Sequence, residues 1–311
     1  MTGGARISAV MVSYRTGPVL FDSIRSVLMD PDIHELVLVN HDNPTNVTVR
    51  LDTMSVSEPR LHVIHTGANL GFGRGCNIGA RAASGDHILL LNPDTLIARG
   101  AARLLASTLE GLPPVSIVGA RILNTDGTEQ RGGRRGGLTM MSALLSFSGL
   151  ARILPGVRDF HRENEPLPAG PVETPSVSGA AMLMSRETFR TLDGFDERYF
   201  LHVEDIDICE RARRAGGKVV FEPRAAFVHV GSTSSANLLL VEWYKAAGLR
   251  LFFRTYSGPA GQIALVIAGP LMTCALLGRA VLIRANVRFA QMRLRTRARI
   301  RLAQRRRNAG D

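Results

Sequence analysis

Over the first 230 residues, short apolar runs bounded by turn formers alternate with helical patterns. Runs at 7–14, 35–40, 61–65, 87–91, 115–120 and 177–184 are mostly apolar rather than strictly alternating, which is the pattern of strands covered on both faces. Shorter runs at 218–221 and 226–230 predict two further strands. Helical periodicity occupies 19–29, 101–109, 140–154, 185–192 and 204–215, and 80–83 extends a helix out of a glycine-rich stretch at 67–79. This alternation predicts an α/β fold, a mostly parallel sheet with right-handed crossovers and helices on both faces. From 124 to 175 the pattern weakens. Gly132-Gly133-Arg134-Arg135-Gly136-Gly137 predicts a mobile loop, and the proline-rich run to Pro175 a connector.

After Ser232 the character changes. Residues 237–256 predict an amphipathic helix, and 255–278 hold no charged residue. Pro259, Gly261, Gly269 and Pro270 interrupt the apolar stretch, which leaves a re-entrant or interfacial hairpin, a marginal span, or a core helix open. Charge bears on the choice. The net charge is +11, but 279–311 hold eleven Arg and one acidic residue, Asp311, a net +10 that leaves +1 for 1–278. The basic character belongs to a tail and not to a nucleic-acid-binding body. Arg beside an apolar segment predicts attraction to an anionic membrane surface. Cys76, Cys209 and Cys274 show no CxxC spacing, which argues against a disulfide framework or zinc site and fits a reducing compartment. No signal peptide precedes the first strand, so the body is expected in the cytoplasm.

Three constellations carry candidate chemistry. The strand at 87–91 runs into Asn92-Pro93-Asp94, which places a carboxylate where an open α/β sheet binds ligands. Asp94 can hold a divalent cation and through it a diphosphate, or it can cap the next helix. The stretch Asn69-Leu70-Gly71-Phe72-Gly73-Arg74-Gly75-Cys76-Asn77-Ile78-Gly79 can approach a nucleotide diphosphate through backbone N–H groups. Its Gly73-x-Gly75-x-x-x-Gly79 spacing also matches an NAD(P) fingerprint, although it follows the third strand and not the first. In Glu204-Asp205-Ile206-Asp207, Asp207 pairs with Arg211 at i,i+4, while Glu204 and Asp205 at the helix start are candidates for a general base. Dipole compensation is the alternative role. His229 ends a strand, where it is either structural or a second metal ligand beside Asp94, with imidazole favouring Mn²⁺ over Mg²⁺.

Together these segments resemble the inverting family-2 glycosyltransferases of the GT-A fold, in particular the rhamnosyltransferase-like enzymes of bacterial cell-wall and O-antigen synthesis. The matching pieces are Val12-Ser13-Tyr14, the Asn69–Gly73 run with Asn77 and Gly79, Leu91-Asn92-Pro93-Asp94, Ser178-Gly179-Ala180, the 194–200 run, Glu204-Asp205-x-Asp207 with Arg211, and His229 with Ser232. The resemblance implies a GT-A domain over 1–235, with a nucleotide-sugar-binding half at 1–123 and an acceptor half at 124–235, and a helical C-terminal region over 236–311. It implies a nucleotide-diphosphate sugar donor held by Ser13, Tyr14, Asn40, Asn69, Gly71, Phe72, Gly73, Arg74, Asn77, Asn92 and Asp94. It further implies Mg²⁺ or Mn²⁺ on Asp94 with His229, Asp205 or else Glu204 as the base, and a hydroxyl on a lipid-linked or glycan acceptor. The expected location is the cytoplasmic face of the bacterial inner membrane, peripheral or shallowly inserted, with no nucleic-acid partner. One departure stands out: Asn40-His41 replaces the family's Asp-Asn pair after the second strand, which leaves the nucleotide base open. The rival readings are an NAD(P)-dependent oxidoreductase and a non-catalytic membrane-bound protein.

Overall fold

The computed structural model describes residues 5–154, 156, 158–231 and 237–308, with side chains through Ala285 except at Arg152. Ser232 lies outside the described residues. In chain order the elements are β1 (Ile7–Ser13), α1 (Val19–Leu28), β2 (Ile33–Asn40), α2 (Thr45–Ser57), β3 (Leu61–His65), α3 (Phe72–Ala82), β4 (His87–Leu91), β5 (Thr95–Ile97), α4 (Ala101–Glu110), β6 (Ile117–Leu123) and β7 (Arg134–Arg135). They continue with α5 (Met140–Ser148), β8 (Val172–Glu173), β9 (Ser176–Val177), β10 (Ala181–Ser185), α6 (Arg186–Thr191), α7 (Glu204–Arg214), β11 (Val219–His229), α8 (Leu238–Tyr256) and α9 (Pro259–Asn308).

The main sheet runs β3-β2-β1-β4-β10-β6-β11-β5, with β8 also on β11. β1 pairs in parallel with both β2 and β4. β10 is antiparallel to β4 and β6, so the expected parallel sheet is interrupted at one strand. Alternate residues of β1 feed two cores. Ile7, Ala9 and Met11 join α1 and α4, while Val10 and Val12 join α3, α6 and α7. The continuous apolar strands are thus explained by helices on both faces.

Several expectations shift. The apolar run at 177–184 divides into β9 and β10, because Ser178 to Ala180 leave the ladder to touch the site described below. The runs at 218–221 and 226–230 are one strand with a register shift between Glu222 and Ala226. α3 begins at Phe72, inside the glycine-rich stretch, and not near Ala80. The glycines allow this start. Gly71 has φ +90°, and a Cβ there would lie 2.6 Å from the Phe200 carbonyl oxygen. A Cβ on Gly79 would meet Val10 Cγ1 at 2.5 Å, so the glycines of α3 let the helix settle on β1. Gly79→Ala should therefore cost about 1–3 kcal/mol of stability, read as a lower denaturation midpoint at unchanged slope.

The Gly132–Gly137 stretch is anchored, not mobile. Its β7 pairs with β9, and Arg134 is buried against Glu129 and the carbonyls of Glu165 and Pro166. The C-terminal apolar stretch is one helix running through Pro270 and not a hairpin broken at that residue. A third core joins α5, α8 and α9 to Tyr199, Val203 and Ile206, so the helical C-terminal region packs directly on the turn that starts α7.

Candidate active site

Two loops beyond β4 and β9 set the site. β5 pairs antiparallel with the end of β11 in the register Thr95↔His229, which brings Asp94 beside His229 across 135 residues of chain. Val230 N–H donates to the Asp94 carbonyl at 3.0 Å and locks this approach. His229 Nε2 lies 3.0 Å from Asp94 Oδ1, and Asp94 is buried. His229 Nδ1 meets Gln130 Oε1, and Gln130 is oriented by its own amide, which donates to Asn124 Oδ1 and to the His229 carbonyl, each at 3.1 Å. With Oε1 as the acceptor, Nδ1 carries the ring proton. Nε2 then presents its lone pair, to which Asn92 Nδ2 donates at 3.1 Å. A carboxylate oxygen and an imidazole lone pair 3.0 Å apart are reconciled by a proton or a cation between them. This fits a divalent ion: one hard oxygen, one imidazole nitrogen, and a supporting amide that fixes the tautomer. Among the described residues no three His, Cys, Asp or Glu side chains converge, so an ion held by this pair would need further ligands from outside it.

The second half of the site is the start of α7. His202 and Val203 both sit at positive φ, +66° and +75°, a left-handed turn that a β-branched residue adopts only under strain. α8 holds it closed: a Cβ on Gly248 would stand 3.1 Å from the His202 carbonyl oxygen and from Val203 Cγ2. The turn swings Glu204 and Asp205 inward, and both are buried. Asp205 Oδ2 accepts from Arg135 Nη1 at 2.9 Å and from Gly179 N–H at 3.0 Å, and Oδ1 accepts from Ile206 N–H at 2.9 Å. Oδ1 therefore keeps one acceptor position. Ala180, next to Gly179, accepts the Asn92 N–H at 3.1 Å, so two consecutive residues touch both the Asp205 carboxylate and the Asn92–Asp94 turn.

Glu204 differs from its neighbour. Its Oε2 has no hydrogen-bond partner among the described residues, and burial, then the nearby Asp205, push its carboxyl up to about 8. The folded state thus holds a proton that an unfolded chain has released above its ordinary 4.5. This group's contribution to stability falls as pH rises from about 4.5 to about 8. Glu204→Gln should remove that fall, so the stability of wild type minus that of the variant declines across this window in denaturant titrations.

The donor-side residues are dispersed. Ser13 and Asn40 are joined by Asn43, whose Nδ2 donates to Ser13 O and Oγ at 3.0 Å each and to Asn40 Oδ1 at 2.6 Å. The Asn40 amide is spent on Asn43, Thr48 and His65. Tyr14 lies half-buried at the end of β1, with Arg15 over its ring. Asn69 Oδ1 accepts the Gly71 N–H at 3.1 Å, and His41 Nε2 lies 3.2 Å from the Gly71 carbonyl oxygen, tying the two loops together. Phe72 borders Gly179, Gly73 packs under Phe195, and Arg74 pairs with Glu197 at 3.4 Å. Asn77 donates to Phe195 O at 2.9 Å and accepts Phe195 N–H at 2.8 Å, which pins the 194–200 loop to α3. Asn77→Ala leaves both backbone groups buried without partners and should cost about 2–4 kcal/mol. Asp207 is structural, as its spacing predicted: Arg211 binds it at 2.8 Å and the Tyr256 hydroxyl donates to it at 2.7 Å. Gln130, Arg135 and Asn43 were not singled out from sequence. No periodicity marks them, since each lies in a loop or a two-residue strand.

Gly73, Gly75 and Gly79 lie inside α3 against Phe195, Val12 and Val10, so they serve helix packing and do not form a phosphate turn ahead of a helix. Nothing in this geometry favours a dinucleotide site.

The family model for "Glycosyl transferase family 2" matches residues 8–192. The N-acetylglucosaminyl-diphospho-decaprenol L-rhamnosyltransferase of Mycobacterium tuberculosis (strain ATCC 25618 / H37Rv) is 28% identical over 243 residues, which cover 72% of this chain and 75% of that protein. Two solved structures share the fold. A mannosyltransferase, PcManGT from Pyrobaculum calidifontis in complex with GDP-Man and Mn²⁺, superposes with TM-score 0.55 at 15% identity over 93% of this chain and 76% of its own. GalNAc-T7, solved with UDP, GalNAc and Mn²⁺, gives TM-score 0.57 at 18% identity over 75% of this chain and 45% of its own. The α/β body is the GT-A fold of these glycosyltransferases. From β1 through α6, more than half of its length, the chain fits one family, and it belongs to glycosyl transferase family 2.

Proposed function

We propose that the chain moves a sugar, rhamnose by analogy with its mycobacterial relative, from a nucleotide diphosphate to a hydroxyl of a lipid-linked or polysaccharide acceptor, with inversion. The observation that carries this is the juxtaposition, through Gly179 and Ala180, of the Asp94–His229 pair with the Asp205 carboxylate. Asp94 and His229 would hold Mg²⁺ or Mn²⁺, which supplies charge neutralisation for the departing diphosphate. Asp205 takes the acceptor proton at the open position on Oδ1, while Arg135 and the Gly179 N–H fix the carboxylate's orientation. Glu204 keeps its proton near neutrality and backs this arrangement. Base on one side and leaving group on the other give in-line displacement at an oxocarbenium-like carbon.

The donor enters over 1–123. Asn40, buried with its amide engaged, acts through the loop it anchors, and Tyr14, with Arg15 over its ring and Arg15 paired in turn to exposed Asp42, borders the nucleotide base. Asn69, Gly71, Phe72, Gly73, Arg74 and Asn77 shape the wall of the donor cleft, and Asn92 with Asp94 faces the diphosphate. The acceptor half, 124–235, contributes Arg135 and Asp205. The helical region 236–311 keeps the enzyme at the cytoplasmic face of a bacterial inner membrane, where a lipid-linked acceptor lies. The test is a screen of UDP-, GDP- and dTDP-sugars with Mg²⁺, Mn²⁺ or EDTA, following nucleotide diphosphate release. Acceptor-stimulated release from one donor class, lost in EDTA, supports the reading. Release at the same rate in EDTA contradicts its metal-dependent part.

A further inference from the structure

Helix α9 has two apolar faces with different fates. Leu265, Ala268, Met272, Leu276 and Ala280, spaced three or four apart, are buried against α8 and α5. The opposite face carries Ile263, Val266, Ile267 and Leu271, between 55% and 74% exposed, then Cys274, Val281 and Leu282, all exposed. Nothing in the described chain covers this second face. Yet Pro259–Ala285 has the length and mean hydropathy, 1.9, of a membrane span.

A lone span is surrounded by lipid, whereas one face of α9 is packed on α8 and α5. α9 runs back along α8 as an antiparallel pair fastened at both ends. Gln262 Nε2 donates to the Arg254 carbonyl at 2.6 Å, and Arg284 binds the Asn237 side chain near the start of α8. These ties stand 22 residue steps apart along α9, about 33 Å, or the full thickness of a hydrocarbon core. α8 carries Glu242, Lys245, Arg250 and Arg254 along that length. Carrying α9 across a bilayer would draw these charges into hydrocarbon or strip α9 from its core.

We infer that α9 lies flat in the membrane interface, its outer face of Ile263, Val266, Ile267, Leu271 and Leu282 in an anionic bilayer and its inner face still on α8. Charge complementarity selects this occupant. The sequence continues from this face into a segment with net charge +10 over 279–311, which would repel a second copy of itself and attract anionic headgroups. Pro270 is exposed on α9 and lies on its outer side, away from the packed core. The inference rests on the proposed membrane association and specifies its geometry, but it does not depend on the sugar chemistry.

The molecule supplies its own probe. Cys274 is exposed in the middle of the outer face, while Cys76 and Cys209 are buried. The full-length protein is labelled with a fluorescent maleimide at Cys274, and at single cysteines from Ile263→Cys and Leu282→Cys in a Cys274→Ser background. It is mixed with vesicles of phosphatidylcholine with or without phosphatidylglycerol. Quenching by lipids spin-labelled at shallow and deep acyl positions reads depth, and a quencher trapped inside the vesicles reads sidedness. The flat geometry predicts that all three probes are quenched by shallow labels only, are untouched from inside, and respond only with anionic vesicles. Ile267→Asp with Leu271→Asp should lower vesicle binding by about tenfold or more, with transfer to a water-soluble acceptor unchanged. Deep quenching at Cys274, with the 263 or 282 probe reached from inside, would establish a span and overturn the inference. Unquenched probes whose shielding rises with protein concentration would assign the face to a second copy and overturn it equally. Loss of transfer with shallow quenching intact would count against the enzymatic reading alone.

Discussion

Asp94→Ala is expected to abolish measurable turnover, a loss of at least about 10³-fold, and to remove Mn²⁺-dependent tightening of donor binding. The reason is the sparseness of the donor set. Among the described residues no third His, Cys, Asp or Glu joins Asp94 and His229, so removing the carboxylate leaves the imidazole as the one candidate ligand of this pair. Folding should survive, since the Asp94 backbone carbonyl still receives Val230 N–H. His229→Ala should be costly but less so, because the charge on Asp94 remains. Gln130→Leu touches neither substrate nor ion and should still cost about 10–100-fold in Mn²⁺ affinity, because the imidazole loses the acceptor that holds its tautomer. Calorimetric titration of Mn²⁺ in the presence of nucleotide diphosphate checks all three without relying on turnover. Wild-type affinity in Asp94→Ala would remove the ion from this site.

Asp205→Asn is expected to lower kcat by about 10²–10⁴-fold with donor affinity nearly unchanged. The amide retains the shape of the carboxylate but cannot accept the acceptor's proton, and it loses the ion pair to Arg135. Glu204→Gln should be milder. That carboxyl already holds a proton near neutral pH, so the amide copies its neutral form more closely. Arg135→Lys keeps the charge but loses the guanidinium geometry; it should lower kcat about tenfold and leave the donor KM in place. Initial rates at saturating donor, with separate donor-binding titrations, distinguish these outcomes. If Glu204→Gln shows the large kcat loss and Asp205→Asn does not, the base is the other carboxylate.

Much of this arrangement could be read along the chain. His87–Leu91 is apolar throughout because helices cover both faces of β4, and Asn92-Pro93-Asp94 closes it where the ligand end of the sheet should be. Glu204 and Asp205 stood out because four carboxylates fall within seven residues at a helix start. Other features left no pattern to read. α2 fully buries only Leu51, with Val47 and Met54 packed beside it, and the exposed Val49 and Val56 blur that face into no clear helical period. β5 is three residues long, yet its pairing with β11 is what unites Asp94 with His229. In sequence Arg135 belongs to a glycine-flanked run that predicts a mobile loop. Its strand pairs with β9 and its guanidinium binds a carboxylate 70 residues further on, tertiary contacts that no local window contains. The antiparallel β10 was equally hidden, because an apolar run gives no sign of its direction.

The anomeric configuration of the product tests these residue roles most directly. A donor of defined configuration, selected by nucleotide release, is turned over with acceptor and Mn²⁺, and the new glycosidic linkage is read by its one-bond C–H coupling in NMR. A single base at Asp205, opposite a diphosphate held at Asp94 and His229, predicts a linkage inverted relative to the donor. A product of retained configuration would require a different mechanism and would contradict the roles given to these residues.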